Sequence, residues 1–381
     1  MVETNILRIP GPTPIHPRIE RAMNTPIFGH RSQEMKDLMQ SVKHGLKLSF
    51  GTENEVIILT SSGTSGLEAT VVNATSPGDY VLVLVTGAFG NRFAQICEAY
   101  ELNVHRIDVE WGQAVDPEQV KDYLSEHPHV KAVFATYCET STGVLNRIDK
   151  IGEIIQDVSN ETLFIVDGVS AVGGAKAEMD AWGVDLFVTG SQKAMMLPPG
   201  LSFVAVSERA WEVIEANNRP RFYLDFRKYR QSLADDATPF TPAVSLIIGL
   251  QEALMMFQEE GYEEVYNRHL RMKEMTRAAI RALGVSLLAS DEDASPTVTS
   301  LVLDGVTSEE LRSLLKKQFG LSLAGGPGQL KEKVVRIGHM GYCSPADVLQ
   351  VISLLEIGLI QLGKDIDRGT GVAAAQDIYL K

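Results

Sequence analysis

Between positions 56 and 206 the chain alternates short apolar runs with amphipathic stretches, and few folds accommodate that rhythm. The runs are 56–60, 81–85, 104–109, 130–137, 163–166, 186–189 and 202–206, with Val81-Leu82-Val83-Leu84-Val85 the sharpest. Runs this short and this continuously apolar read as strands buried on both faces. Between them, 64–72, 91–100, 117–126 and 148–158 read as helices, the third opened by Pro117 at its first turn. Strand and helix in alternation predict an α/β domain: a mostly parallel central sheet flanked by helices.

The flanks read differently. Pro10, Pro12 and Pro14 remove donors and fix the backbone, so 1–20 is an extended arm. Ser32 is placed to cap a helix over 34–50. Residues 242–283 read as helix with a break near Gly261. Beyond them, strands at 298–303 and 334–337 and helices at 308–318 and 345–362 make a smaller α+β C-terminal domain. The expected boundaries are 21–255 for the large domain and 256–362 for the small one, with 363–381 a loosely held tail.

A formal net charge of −14 makes the chain a poor partner for nucleic acid or an anionic membrane, and any anionic ligand must be held by local groups. Cys97, Cys138 and Cys343 have neither metal nor redox spacing, which suits reduced thiols in the cytoplasm. No secretory signal region and no apolar run of spanning length is present.

Chemistry collects at the strand ends. Lys193, in Gly190-Ser191-Gln192-Lys193-Ala194, follows one apolar run, and Asp167 ends another. A lysine amine forms a Schiff base with a carbonyl cofactor, and a carboxylate keeps a pyridine nitrogen protonated. Ser61-Ser62-Gly63-Thr64-Ser65-Gly66 opens a helix after the first strand, where free amides and hydroxyls suit a phosphate. Phe89 lies between glycines after the second strand, and Thr140 follows the fourth. Singly these read as a cap, a core aromatic and a turn. Together, Ser62, Phe89, Thr140, Asp167 and Lys193 each fall just past a strand's carboxyl end, and in an open parallel sheet such ends converge on one crevice. The set matches pyridoxal 5'-phosphate. It matches a dinucleotide worse, because no G-x-G-x-x-G follows the first strand.

The sequence resembles the class V aminotransferases of fold type I, in the alanine–glyoxylate, serine–glyoxylate and serine–pyruvate branch. The resemblance runs from Pro10-Gly11-Pro12-Thr13 to about Gly341. It rests on Ser62-Gly63-Thr64, Gly87-Ala88-Phe89-Gly90-Asn91-Arg92, Glu139-Thr140-Ser141-Thr142-Gly143, Val166-Asp167-Gly168-Val169, Gly190 to Ala194, Pro198-Pro199-Gly200 and Val335-Arg336-Ile337-Gly338. It implies that Lys193 carries the cofactor and moves the proton, and that Asp167 pairs with the ring nitrogen. Phe89 would stack on the ring, with Val169 beside it, and Thr140 would bond the ring hydroxyl region. Ser62, Gly63, Thr64 and Gln192 would hold the phosphate, joined by Thr241 from the neighbouring subunit of a homodimer with shared sites. Arg336 would grip the substrate carboxylate, helped by backbone near Gly11. Ala171 stands where relatives often carry serine. His30 and His339 read as structural or exposed.

The implied activity is transfer of an amino group from alanine or serine to glyoxylate or pyruvate. Ureidoglycine–glyoxylate transamination shares nearly every motif. A desulfurase on this fold would place histidine before the lysine, where this chain has Gln192. A non-catalytic accessory subunit is the reading of a different class, since some relatives are labelled as soluble-hydrogenase subunits. Three scattered cysteines do not supply the grouped ligands of a metal redox centre.

Overall fold

The computed structural model describes residues 5–159 and 161–381. Seven strands form the central sheet: β1 (Glu55–Leu59), β2 (Tyr80–Val85), β3 (Asn103–Asp108), β4 (Ala132–Thr136), β5 (Leu163–Asp167), β6 (Leu186–Gly190) and β7 (Ser202–Val206). Their spatial order is β1-β7-β6-β5-β4-β2-β3. Every pairing among β6, β5, β4, β2 and β3 is parallel, whereas β7 runs antiparallel to both β6 and β1. Every residue of β4 through β7 is buried, as unbroken apolar runs require when helices cover both faces. β3 lies at the edge, where Val104, Arg106 and Ile107 are half-buried and Asn103, His105 and Asp108 are exposed.

The register aligns the strand ends. Thr136 pairs with Asp167, and Asp167 with Val188, so the carboxyl ends of β4, β5 and β6 open at one level. Because β7 reverses direction beside β6, their connection needs no crossover and forms a loop on the same edge. Ser191 ties that loop shut: its amide donates to the Leu201 carbonyl (2.9 Å) and its hydroxyl to the Pro198 carbonyl (2.7 Å). Lys193 rides on this braced loop.

A second core lies under a four-stranded sheet made of Ser286–Leu287, Val298–Val302, Val334–Gly338 and Ala324–Gly325, in that spatial order. The helical bridge is two helices, Val244–Glu260 and Tyr262–Ala282, broken at Gly261 with φ of 88°.

Two expectations change. The arm is not extended throughout 1–20, because a helix runs from Pro17 to Met23; the His16 ring caps it by accepting the Arg18 amide at 3.1 Å, and Pro17 suits its first turn. The tail is not loosely held: Thr370–Tyr379 is a helix on the second core. Gly371 allows close approach, since a Cβ there would stand 2.9 Å from Leu283, and Ala375 is fully buried. The Glu356 carboxylate accepts the Gly369 and Gly371 amides at the helix start. Small residues that read as loose in sequence serve here as the contact face.

Candidate active site

The cleft at the strand ends is lined by Ser62, Gly63, Thr64, Phe89, Thr140, Asp167, Val169, Gln192 and Lys193, which are nine of the ten positions expected to meet a cofactor. The tenth, Thr241, is exposed and does not line the cleft of its own chain. Arg92, Cys138, Ser170 and Leu67 also line it, and the sequence reading gave them no role.

The Lys193 side chain is buried, and its Nζ donates to the Pro10 carbonyl at 2.5 Å. Burial lowers its amine to about 8, with Arg336 adding to the effect and Cys138 and Asp167 opposing it. The N-terminal arm packs directly on this amine. A Cβ at Gly11 would fall 2.6 Å from Lys193 Nζ, and Gly11 holds φ of 126°, so only glycine fits. Thr13 clamps the same loop, its amide donating to the Gln192 carbonyl (3.1 Å) and its hydroxyl to the Lys193 carbonyl (2.9 Å).

Asp167 ends β5 and accepts the Val169 amide at 2.9 Å. Burial raises its carboxyl to about 6, and the neighbouring Glu139 pushes the same way. A protonated ring nitrogen opposite would hold that carboxylate ionised. Ser62 occupies the N-cap of the helix Gly63–Ala74 but makes no side-chain capping bond. The Gln192 Oε1 atom is buried without a partner. An uncommitted hydroxyl and a helix N-terminus fit a phosphate; the orphaned Gln192 Oε1 is an acceptor, so only the Nε2 of that amide could serve an anion.

Phe89 lies in the first turn of the helix Ala88–Ala99, and the Arg92 guanidinium stands 4.9 Å from its ring centroid while reaching the Thr64 hydroxyl at 3.4 Å. The i, i+3 spacing from Phe89 is the signal that could have found Arg92. Thr140 pairs its hydroxyl with Ser170 Oγ (2.5 Å) and accepts Arg336 Nη1 on its carbonyl (3.0 Å). Arg336 Nε donates to the Gly325 carbonyl at 2.9 Å, and Nη2 takes part in neither bond. Burial lowers this guanidinium to about 10, and Glu139 opposes the shift.

His339 is buried against the Thr299 hydroxyl (2.9 Å) and does not line the cleft. Ala171 is fully buried, and the hydroxyl at the cleft comes from Ser170 instead. Among the described residues no group of three His, Cys, Asp or Glu is arranged to hold a metal ion.

The family model for class-V aminotransferases matches residues 22–351. The chain is a class V aminotransferase. It is 42% identical, over 99% of both chains, to the soluble hydrogenase small subunit of Synechococcus sp.. It is 35% identical to the serine–glyoxylate aminotransferase of Methylorubrum extorquens, over 99% of this chain and 96% of that one. The solved ureidoglycine–glyoxylate aminotransferase of Bacillus subtilis superposes with a TM-score of 0.93 at 31% identity, covering 100% of this chain and 99% of that chain. This class V aminotransferase is therefore a fold type I enzyme, and its cofactor is pyridoxal 5'-phosphate. When bound, that cofactor supplies the electron sink that lets an amino acid lose its α-proton.

Proposed function

We propose that the enzyme transfers the amino group of alanine or serine to glyoxylate, with pyruvate as the alternative acceptor. The observation that carries this reading is a half-buried guanidinium, Arg336, anchored by two carbonyls and near enough to Lys193 to lower its amine. One such fork suits a substrate with one carboxylate. The serine–glyoxylate relative supports the same substrate class. Lys193, with its amine held near 8, accepts and returns the α-proton. Asp167 keeps the ring nitrogen protonated, Phe89 and Val169 hold the ring, and Ser62, Gly63, Thr64 and Gln192 hold the phosphate. Arg336 and the Gly11 backbone orient the carboxylate.

Arg336→Ala is expected to cost roughly 1.5–3 kcal/mol of charged hydrogen bonding against the substrate while cofactor affinity stays near wild type. Half-reaction rates at graded alanine concentrations measure it. A fall in cofactor affinity with an unchanged substrate half-reaction would remove Arg336 from the substrate site.

The second reading, a non-catalytic accessory subunit, is favoured by the name of the hydrogenase-labelled relative, and ureidoglycine as donor by that of the Bacillus subtilis structure. One titration separates the three. Alanine or serine should bleach the visible band of the cofactor-loaded protein, and glyoxylate should restore it. Bleaching by ureidoglycine alone selects that donor, and no bleaching by any amino acid selects the scaffold.

We place the enzyme in the cytoplasm as a homodimer with shared sites. Thr241 and the exposed Phe222 and Tyr223 support a second copy here, with Phe240 stacked 5.0 Å from Tyr223. A glutamate at 241 would repel a partner's phosphate, so Thr241→Glu and Lys193→Ala should each be nearly inactive. Refolded together, half the dimers pair one of each, and each mixed dimer carries one intact site. Activity should return to about a quarter of wild type. No recovery, with mixed dimers confirmed by mass, would place both residues in one chain's site.

A further inference from the structure

Glu139 is fully buried, touches neither the proton-moving lysine nor the phosphate cup, and its carboxylate still accepts hydrogen bonds from four donors. Its donors are the Phe89 amide (3.0 Å), the Gly90 amide (3.0 Å), the Ser141 amide (3.1 Å) and the Ser141 hydroxyl (2.5 Å). The Phe89 and Gly90 amides belong to the first turn of Ala88–Ala99, so the carboxylate satisfies donors that the helix itself leaves open. Ser141 extends the clasp, because its oxygen also accepts the Ala88 amide at 3.0 Å. The fit is close: a Cβ on Gly87 would fall 2.4 Å from the Ser141 hydroxyl and 2.6 Å from the Glu139 carboxyl carbon.

The residue between them does the other half. Thr140 gives its carbonyl to Arg336 Nη1. Glu139 and Ser141 therefore grip the turn that carries Phe89 with their side chains, and Thr140 between them holds the Arg336 guanidinium with its backbone carbonyl.

We propose that Glu139 is the positioning residue that keys the aromatic plate of Phe89 to the carboxylate fork of Arg336, so that ring and substrate are held in one fixed relation. This rests on the aminotransferase reading of the cleft. Burial raises the Glu139 carboxyl while the Ser141 hydroxyl and the three amides favour its ionised form. Replacing one acceptor oxygen by an N–H donor would set two donors against each other at the helix start.

The test is a double-mutant cycle on pyridoxal phosphate affinity, measured by equilibrium dialysis, for the wild type, Glu139→Gln, Phe89→Leu and the double variant. If Glu139 acts through Phe89, Glu139→Gln weakens binding roughly tenfold alone and less than about twofold in the Phe89→Leu background. In steady state the same variant should raise KM for glyoxylate roughly fivefold and change kcat less. An equal loss in both backgrounds, or an unchanged KM, overturns the proposal, because a residue that only supports the helix would act without regard to Phe89 or Arg336. Should Glu139→Gln fail to fold, Glu139→Asp keeps the charge, withdraws the oxygens by one methylene and must show the same non-additivity. A wild-type chain that takes up no pyridoxal phosphate would instead sink the aminotransferase reading beneath it.

Discussion

Lys193→Ala is expected to leave a folded protein that lacks the band at ~400–430 nm of lysine-linked pyridoxal phosphate and has lost nearly all turnover. In the role proposed for Lys193 the amine is both the cofactor's covalent attachment and the base that moves the α-proton, so one substitution would remove both. Other contacts with the cofactor remain, so dialysis should still find it bound, though more weakly. Retention of band and turnover in the variant would place the covalent attachment elsewhere. A stability effect accompanies the loss. The folded amine titrates near 8, below its ordinary 10.5, so its contribution is present above 10.5 and is lost as pH falls through 8. At pH 7 the buried ammonium opposes folding, and alanine relieves that cost while opening a cavity.

Asp167→Asn is expected to slow α-proton removal by orders of magnitude while the cofactor stays bound. A neutral ring nitrogen is a weaker electron sink, and asparagine cannot hold it protonated. Single-turnover bleaching with alanine measures the rate, and a near-normal value would rule the role out. The cofactor-free protein should respond in the opposite sense. The Asp167 carboxyl is raised from 3.8 to about 6, so its contribution to stability is present below 3.8 and is lost as pH rises through 6. Above that window the wild type buries a charge that the asparagine variant does not, a difference of order 2–3 kcal/mol before relaxation. Asp167→Asn apoprotein should melt higher than wild type at pH 7, and the gap should close near pH 4. A gap independent of pH would mean that the carboxylate is solvated in the folded chain.

Much of the cleft is legible because its chemistry follows buried strands. An uninterrupted run such as Leu163–Asp167 has one place to sit, and the residue that ends it emerges at the rim. The direction of β7 is not legible from its composition, since Ser202–Val206 is as apolar as its parallel neighbours. What reverses it is the non-helical loop that carries Lys193. Glu139 is hidden for another reason. As a string it heads a polar turn, and its importance comes from amides about 50 residues upstream that only the fold brings to it. The terminal helix escaped notice because Gly371 and Ala375 carry no apolar period, although they pack by being small.

The arm that packs on Lys193 has a consequence for the order in which the molecule can be completed. Its strand Ile6–Leu7 pairs in parallel with Leu321–Ser322, and Arg8 pairs with Asp347, 339 residues further along. The Pro10 carbonyl meets the lysine across a separation of 183 residues. Closing loops of that length gives no reward until the far partner exists. On the ribosome the sheet and the phosphate cup can form while the chain is still growing. The arm strand must wait, unpaired, until partners more than 300 residues further along have been made. The cleft thus acquires its final wall only after residue 321 has been made, and a nascent chain cut before that residue would hold its lysine with the arm's anchor missing.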